Sequence, residues 1–174
     1  MRELADAGRI RRFMRALGAE AARDGAVYLT GGATAVLVGW RTSTVDVDIL
    51  PVPEQESVLR AVPRLKDALR VNVELASPRD FVPVPAGWED RSVFVAREGR
   101  LTFYHFDPYS QALAKLERRH VQDLDDVRAM IERELVDPAR ALEYLTEIED
   151  ELYRYPAIDP RAFRRQAEEV LSAR

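Results

Sequence analysis

The sequence predicts a mixed α/β (α+β) fold: a small mixed β-sheet flanked by helices, with a helical C-terminal portion. Three observations carry that prediction. Residues 44–50, Thr-Val-Asp-Val-Asp-Ile-Leu, alternate strictly between polar and apolar side chains, the period of two that marks a strand. Residues 70–75, Arg-Val-Asn-Val-Glu-Leu, alternate in the same way. Beyond residue 106 the apolar residues recur three and four apart, the period of a helix.

The remaining elements follow in chain order. Ile10, Phe13, Met14 and Leu17 recur at helical spacing, which predicts a helix over residues 2–23, with Gly25 just past its end. Residues 26–30 read as a short strand running directly into Gly31-Gly32, and the small apolar residues 33–39 read as a short buried helix. Pro51 and Pro53 are expected to end the strand 44–50, with Val45, Val47 and Ile49 turned to the core. A helix over 54–68 places Val58, Leu59, Val62 and Leu65 on one face. In the strand 70–75, Val71, Val73 and Leu75 face one way, and Arg70, Asn72 and Glu74 the other. Residues 76–90, rich in Pro, read as an ordered loop, and residues 91–97 and 101–106 as a hairpin around Glu98-Gly99. Four helices follow, over 108–119, 123–133, 138–153 and 161–172. Asp137-Pro138 and Asp159-Pro160 give two of them an N-cap followed by proline at the first helical position. No linker composition separates residues 1–106 from 107–174, so the two parts are expected to pack as one unit.

Composition narrows the function classes. The 174 residues contain no cysteine, which excludes disulfides, thiolate metal sites and a cysteine nucleophile, and fits a reducing cytoplasm. With two histidines, His105 and His120, a multi-histidine metal centre is not expected. No run of 18 apolar residues exists to cross a membrane, and the N-terminus lacks a signal-peptide core. The net charge of −4 argues against non-specific nucleic-acid binding. It is unevenly spread: residues 1–45 carry seven Arg against four acids, and Arg9, Arg11, Arg12, Arg15 and Arg23 form either a solvated helix face or a patch for a polyanion. Only Lys66 and Lys115 are lysines, against 24 arginines.

The chemistry centres on Thr30-Gly31-Gly32 and, after the short helix, Asp46-Val47-Asp48. Residues two apart on a strand share a face, so the carboxylates of Asp46 and Asp48 project together, about 7 Å apart along the backbone. Two such charges repel, and a hard divalent cation is their usual partner. A Gly-Gly turn between a strand and a helix lets a phosphate approach backbone N–H groups. Carboxylates for metal beside a cradle for phosphate are what phosphoryl or nucleotidyl transfer needs. Glu74 is a candidate third carboxylate, or else pairs with Arg70 or Arg91.

This run, Gly31-Gly32 and then Asp46-Val47-Asp48, resembles the signature of the nucleotidyltransferase superfamily with the DNA polymerase beta-like fold. Arg41-Thr42-Ser43-Thr44 is similar to the Arg-x-x-Thr lead-in of small bacterial members. The resemblance implies that Asp46 and Asp48 hold Mg²⁺ (or Mn²⁺), that Gly31 and Gly32 contact the phosphates of an NTP, and that Arg41 and Thr44 hold phosphate or orient Asp46. A second block, Lys115-Leu116-Glu117-Arg118-Arg119 followed by Asp123-Leu124-Asp125-Asp126-Val127, resembles the C-terminal motif of AbiEii/MenT-type nucleotidyltransferases. That resemblance implies a toxin-like enzyme with a tRNA or other RNA acceptor and a cognate antitoxin protein. It also implies that Lys115 contacts nucleotide phosphates and that Asp123 assists the nucleophile, in a cleft facing the Asp-x-Asp strand. Residues 74–91 resemble a compact subgroup of the same superfamily.

From the residues alone the second block is open to a plainer reading, with Asp123 an N-cap, Asp126 completing a capping-box arrangement, and Lys115 a surface residue on a helix buried through Tyr109, Ala112, Leu113 and Leu116. Arg91 and Trp88 are candidates for substrate contact, against a structural role for each. His105 is expected to be packed or hydrogen-bonded, and Tyr104 and Phe106 to be core. Two other functions compete: transfer onto a small molecule such as an antibiotic, and a non-catalytic nucleotide- or partner-binding module whose acidic stretch of Glu147, Glu149, Asp150 and Glu151 docks a basic partner.

Overall fold

A computed structural model describes residues 3–173. The chain separates into two compact units, one formed by residues up to Ser77 together with Ser92–Phe106, the other by Pro78–Arg91 together with residues from Asp107 on. The segment 78–91 therefore groups with the helices rather than with the sheet.

The first unit contains α1 (Ala7–Glu20), β1 (Gly25–Thr30), α2 (Gly32–Val38), β2 (Asp46–Val52), α3 (Glu56–Leu69), β3 (Asn72–Leu75), β4 (Val93–Glu98) and β5 (Leu101–His105). The strands form one mixed sheet in the order β3-β2-β1-β5-β4. β1 runs antiparallel to β2 and parallel to β5, β2 is parallel to β3, and β4 is antiparallel to β5. One sheet face is apolar because every second residue is: Val27, Leu29, Val47, Ile49, Val73, Leu101 and Phe103 are all buried. Onto that face pack Ile10, Phe13, Met14 and Leu17 of α1 and Val58, Val62 and Leu65 of α3, in a single hydrophobic cluster.

Element ends differ from the sequence expectation where a specific bond intervenes. The expected start of the first helix at Arg2 lies outside the described residues; α1 begins at Ala7 because the Asp6 carboxylate accepts from the Arg9 N–H at 2.8 Å. Val45 does not face the core but is 47% exposed, because the isolated bridge of Thr44 to Ala5 bends the chain before β2 begins. Pro51 does not end β2; it pairs with Val27. The β3 ladder stops at Ile49 opposite Leu75, so on that flank the missing proline donor costs no ladder bond. Leu75, at the end of that ladder, is exposed rather than core. Of the aromatic residues Tyr104 and Phe106 expected in the core, Phe106 is buried while Tyr104, within β5, is half-buried, stacked on Tyr28 at 5.5 Å between ring centroids.

The second unit contains α4 (Trp88–Arg91), α5 (Pro108–Arg118), α6 (Val121–Glu132), α7 (Pro138–Glu149) and α8 (Pro160–Leu171), with 3₁₀ turns at Pro78–Asp80 and Leu152–Arg154. Asp137 and Asp159 cap α7 and α8 as expected, and Asp107-Pro108 starts α5 by the same device. Leu113, Leu116, Val127, Met130, Leu145, Ile148 and Phe163 are buried in it. Arg91 and Asp107 stand where the chain leaves this unit and where it returns. The Arg91 guanidinium donates to Asp107 through Nε at 3.1 Å and Nη2 at 2.9 Å, and Asp107 also takes the Ser110 hydroxyl at 2.7 Å. With further bonds to the Ala86 and Pro85 carbonyls and its position over the Tyr144 ring, Arg91 is a structural clamp.

Candidate functional site

β1 ends at Thr30, which lies opposite Asp48 of β2 in the sheet register. The next residue, Gly31, has φ +63, in the left-handed region where a glycine is favoured. A Cβ at Gly31 would stand 3.3 Å from Oδ2 of Asp48, so that carboxylate lies directly against the turn. Gly32 is required for a different reason: a Cβ there would meet Oγ1 of Thr44 at 2.0 Å and its Cβ at 2.6 Å. Thr44 is itself fixed, its backbone exchanging two hydrogen bonds with Ala5 and its hydroxyl donating to the Asp46 carbonyl at 3.0 Å. Gly31, Gly32, Thr44, Asp46 and Asp48 thus form one contiguous corner. Arg41, half-buried in the loop before β2, donates its backbone N–H to the Ala35 carbonyl at 3.3 Å.

Asp46 and Asp48 are half-buried and alternate with the fully buried Val47 and Ile49, which puts both carboxylates on the face opposite the core. On β3, Asn72 pairs with Asp46 and Glu74 with Asp48. The Asn72 side-chain amide donates to Oδ1 of Asp46 and, at 3.4 Å, to Oε1 of Glu74. Neither suggested arginine partner of Glu74 is turned to it. Arg70 bonds to Glu3 at 2.9 Å, and Arg91 to Asp107. Among the described residues no group of three or more His, Asp or Glu side chains is gathered to hold a metal ion. The hard oxygen donors that fit a divalent cation are the Asp46 and Asp48 pair, with exposed Glu74 beside them.

Behind the corner, His105 is 7% exposed and its Nδ1 lies 3.0 Å from the Thr34 hydroxyl oxygen in the first turn of α2. Thr34 donates its own proton to the Leu29 carbonyl at 3.4 Å, which leaves that oxygen to accept from Nδ1–H. Burial, helped by the Arg11 charge, pushes the His105 pKa down to about 4, so the ring is a neutral strut under the glycine turn.

A second cluster lies in the helical unit. Lys115 is not a surface residue: it is 5% exposed, and its ammonium donates to Oδ2 of Asp126 at 2.7 Å and stands 3.6 Å from Oδ1 of Asp123. Asp123 is not the N-cap. His120 holds that place, and Asp123, three residues on, accepts the His120 N–H through Oδ2 at 3.3 Å and the Arg118 guanidinium through Oδ1 at 2.8 Å. Arg118 in turn lies 4.8 Å over the Phe81 ring. Sequence reasoning placed Lys115 and Asp123 on neighbouring helices; it did not identify Arg118, whose spacing of five from Asp123 carries no local signal. Trp88 lines a separate cleft of about 760 Å³ with Arg79, Arg154 and Tyr155, where the Arg79 guanidinium lies 5.9 Å from its ring.

A mixed sheet with a Gly-Gly turn leading from β1 into α2, and with paired aspartates on the adjacent strand, defines a nucleotidyltransferase-type α+β fold. The chain belongs to the family described as nucleotidyltransferase of unknown function, DUF6036, whose model matches residues 8–166. No curated protein and no solved structure matches the chain. No helix among the described residues is long and apolar enough to cross a membrane.

Proposed function

We propose that the protein transfers a nucleotide from an NTP onto an acceptor hydroxyl. The observation that carries this reading is the corner itself, where the Asp48 carboxylate lies 3.3 Å from the position of a Gly31 Cβ. A phosphate chain seated against Gly31 and Gly32 is therefore beside the acidic pair. Asp46 and Asp48 supply hard oxygen ligands for Mg²⁺ or Mn²⁺, with Glu74 at the rim. A divalent cation held by them would neutralise phosphate charge. Thr44 fixes the main chain of Asp46 through its hydroxyl, and Arg41 offers a cation to the phosphates. In the reaction the acceptor oxygen bonds to the α-phosphorus, the bond to pyrophosphate breaks with its electron pair leaving on pyrophosphate, and the acceptor hydroxyl's proton passes to Asp123. Lys115 offsets developing charge and Asp123 assists the acceptor.

Within the superfamily, the pairing of Lys115 with Asp123 supports the AbiEii/MenT-type subgroup, and with it an RNA acceptor such as tRNA and an antitoxin partner. The test is a screen of four radiolabelled NTPs with Mg²⁺ or Mn²⁺ against total RNA, total protein and aminoglycosides. Label is expected in RNA, lost in Asp46→Ala and Asp48→Ala proteins that melt as the unsubstituted protein does. Undiminished transfer by both variants would exclude this mechanism, and label in the aminoglycosides alone would replace the acceptor.

A further inference from the structure

Lys115 and Asp126 form an ion pair whose side chains are 6% and 2% exposed. A carboxylate so far from water is stabilised by the cation that meets it, and removing one partner of such a buried pair is costly. Asp126 is the most deeply buried of Lys115, Asp123 and Asp126, and its 2.7 Å bond to the Lys115 ammonium is a direct, charge-assisted one. Asp123 faces the same ammonium from 3.6 Å, and its two oxygens are already shared with Arg118 and the His120 N–H. The four side chains carry two positive and two negative charges. The arrangement is unequal in a useful way: Asp126 holds Lys115, and Asp123 is merely near it.

We propose that Asp126 is a positioning residue for Lys115. It anchors the ammonium on the α6 side, so that Lys115 neighbours Asp123 without closing on it. Without the Asp126 charge, the ammonium loses its direct bond and keeps the more distant Asp123 carboxylate, 3.6 Å away and already shared with Arg118 and the His120 N–H. The catalytic consequence rests on the roles proposed above for Lys115 and Asp123; the anchoring itself does not.

The chain's composition makes the anchoring measurable, because Lys115 and Lys66 are its only lysines. Lysine-selective ¹⁵N labelling gives two side-chain ammonium signals, and Lys66→Arg assigns them. In Asp126→Asn, which keeps the shape and removes the charge, proton exchange of the Lys115 ammonium with water should quicken about tenfold or more, the loss of one charge-assisted hydrogen bond. Lys66 should not change. Asp126→Glu, which restores the charge one methylene further out, should recover most of the slow exchange, and serves for the comparison if the Asn variant fails to fold. In the transfer assay, kcat should fall by about tenfold or more in Asp126→Asn while KM for the NTP moves little, with recovery in Asp126→Glu. Unchanged Lys115 exchange in Asp126→Asn overturns the anchoring. Faster exchange with unchanged kcat overturns the catalytic role. Absence of transfer by the unsubstituted protein on every acceptor is the failure of the nucleotidyl-transfer reading and removes that role with it; the exchange comparison then still decides the anchoring.

Discussion

Substituting Gly32 by alanine tests whether the glycine corner is held as tightly as the distances require. The added Cβ would lie 2.0 Å from Oγ1 of Thr44 and 2.6 Å from its Cβ. Carbon atoms in contact want about 3.5 Å, so the hydroxyl and the Cβ would each have to retreat by roughly 1 Å or more. Rotating the threonine relieves the first contact and not the second. The backbone of Thr44 cannot follow easily, because Ala5 N–H donates to its carbonyl at 2.8 Å and its own N–H to the Ala5 carbonyl at 2.9 Å. Gly32 does not have a positive φ, so backbone strain adds nothing, and alanine recovers up to about 1 kcal/mol of helix propensity. Contacts this close put the cost toward the upper end of the about 1–3 kcal/mol typical of overpacking, which leaves a net loss on the order of 1–2 kcal/mol. Urea titration and thermal melting measure it, the latter as a fall of about 2–4 °C per kcal/mol. Gly8→Ala is the control, since its Cβ would meet only Oδ1 of Asp6 at 3.4 Å. The double variants discriminate further: combining Gly32→Ala with Thr44→Gly should show a favourable coupling, and Thr44→Ala, which removes the hydroxyl but keeps the Cβ at 2.6 Å, a smaller one. A Gly32→Ala protein as stable as Gly8→Ala, or equal rescue by both Thr44 variants, would refute the packing argument.

Two further predictions concern stability. His105 is neutral and buried with its pKa pushed down to about 4, below the ordinary 6.5, so the unfolded chain binds a proton that the folded one refuses. Its contribution is fully present above pH 6.5 and is lost as pH falls towards 4, on the order of 3 kcal/mol in all. Denaturant titrations across that range should show the decline in the unsubstituted protein and a flatter profile in His105→Gln; parallel profiles would show that His105 is not its source. Arg91→Ala leaves Asp107, at 0% exposure, without its guanidinium partner, and should cost about 3–5 kcal/mol by urea titration. A loss below 1 kcal/mol, the range of an exposed pair, would show that other groups satisfy that carboxylate.

Much of the corner was legible from the chain alone. Asp46 and Asp48 follow from alternation, since a period of two fixes the shared face whatever the sheet does around it. The Gly31-Gly32 turn follows from the strand that precedes it and the small residues after it. Caps at Asp137 and Asp159 follow from side chains that reach only three residues along the backbone. What failed were positions at the edges of such patterns. Val45 and Leu75 continue the alternation on paper, but the bridge to Ala5 bends the chain at one and the ladder ends at the other. Lys115 reads as a surface lysine because its two carboxylate partners are on another helix, eight and eleven residues away.

Shared faces and turn positions are encoded locally along the chain, because they depend on backbone periods and on bonds between near neighbours. That Gly32 must be glycine, that Asp48 rests against Gly31 and that Asp126 holds Lys115 became visible in the folded chain alone. Each of these is a contact between elements far apart in the chain, whose distance is set by how the sheet registers its strands and how helices pack, and no local period encodes it.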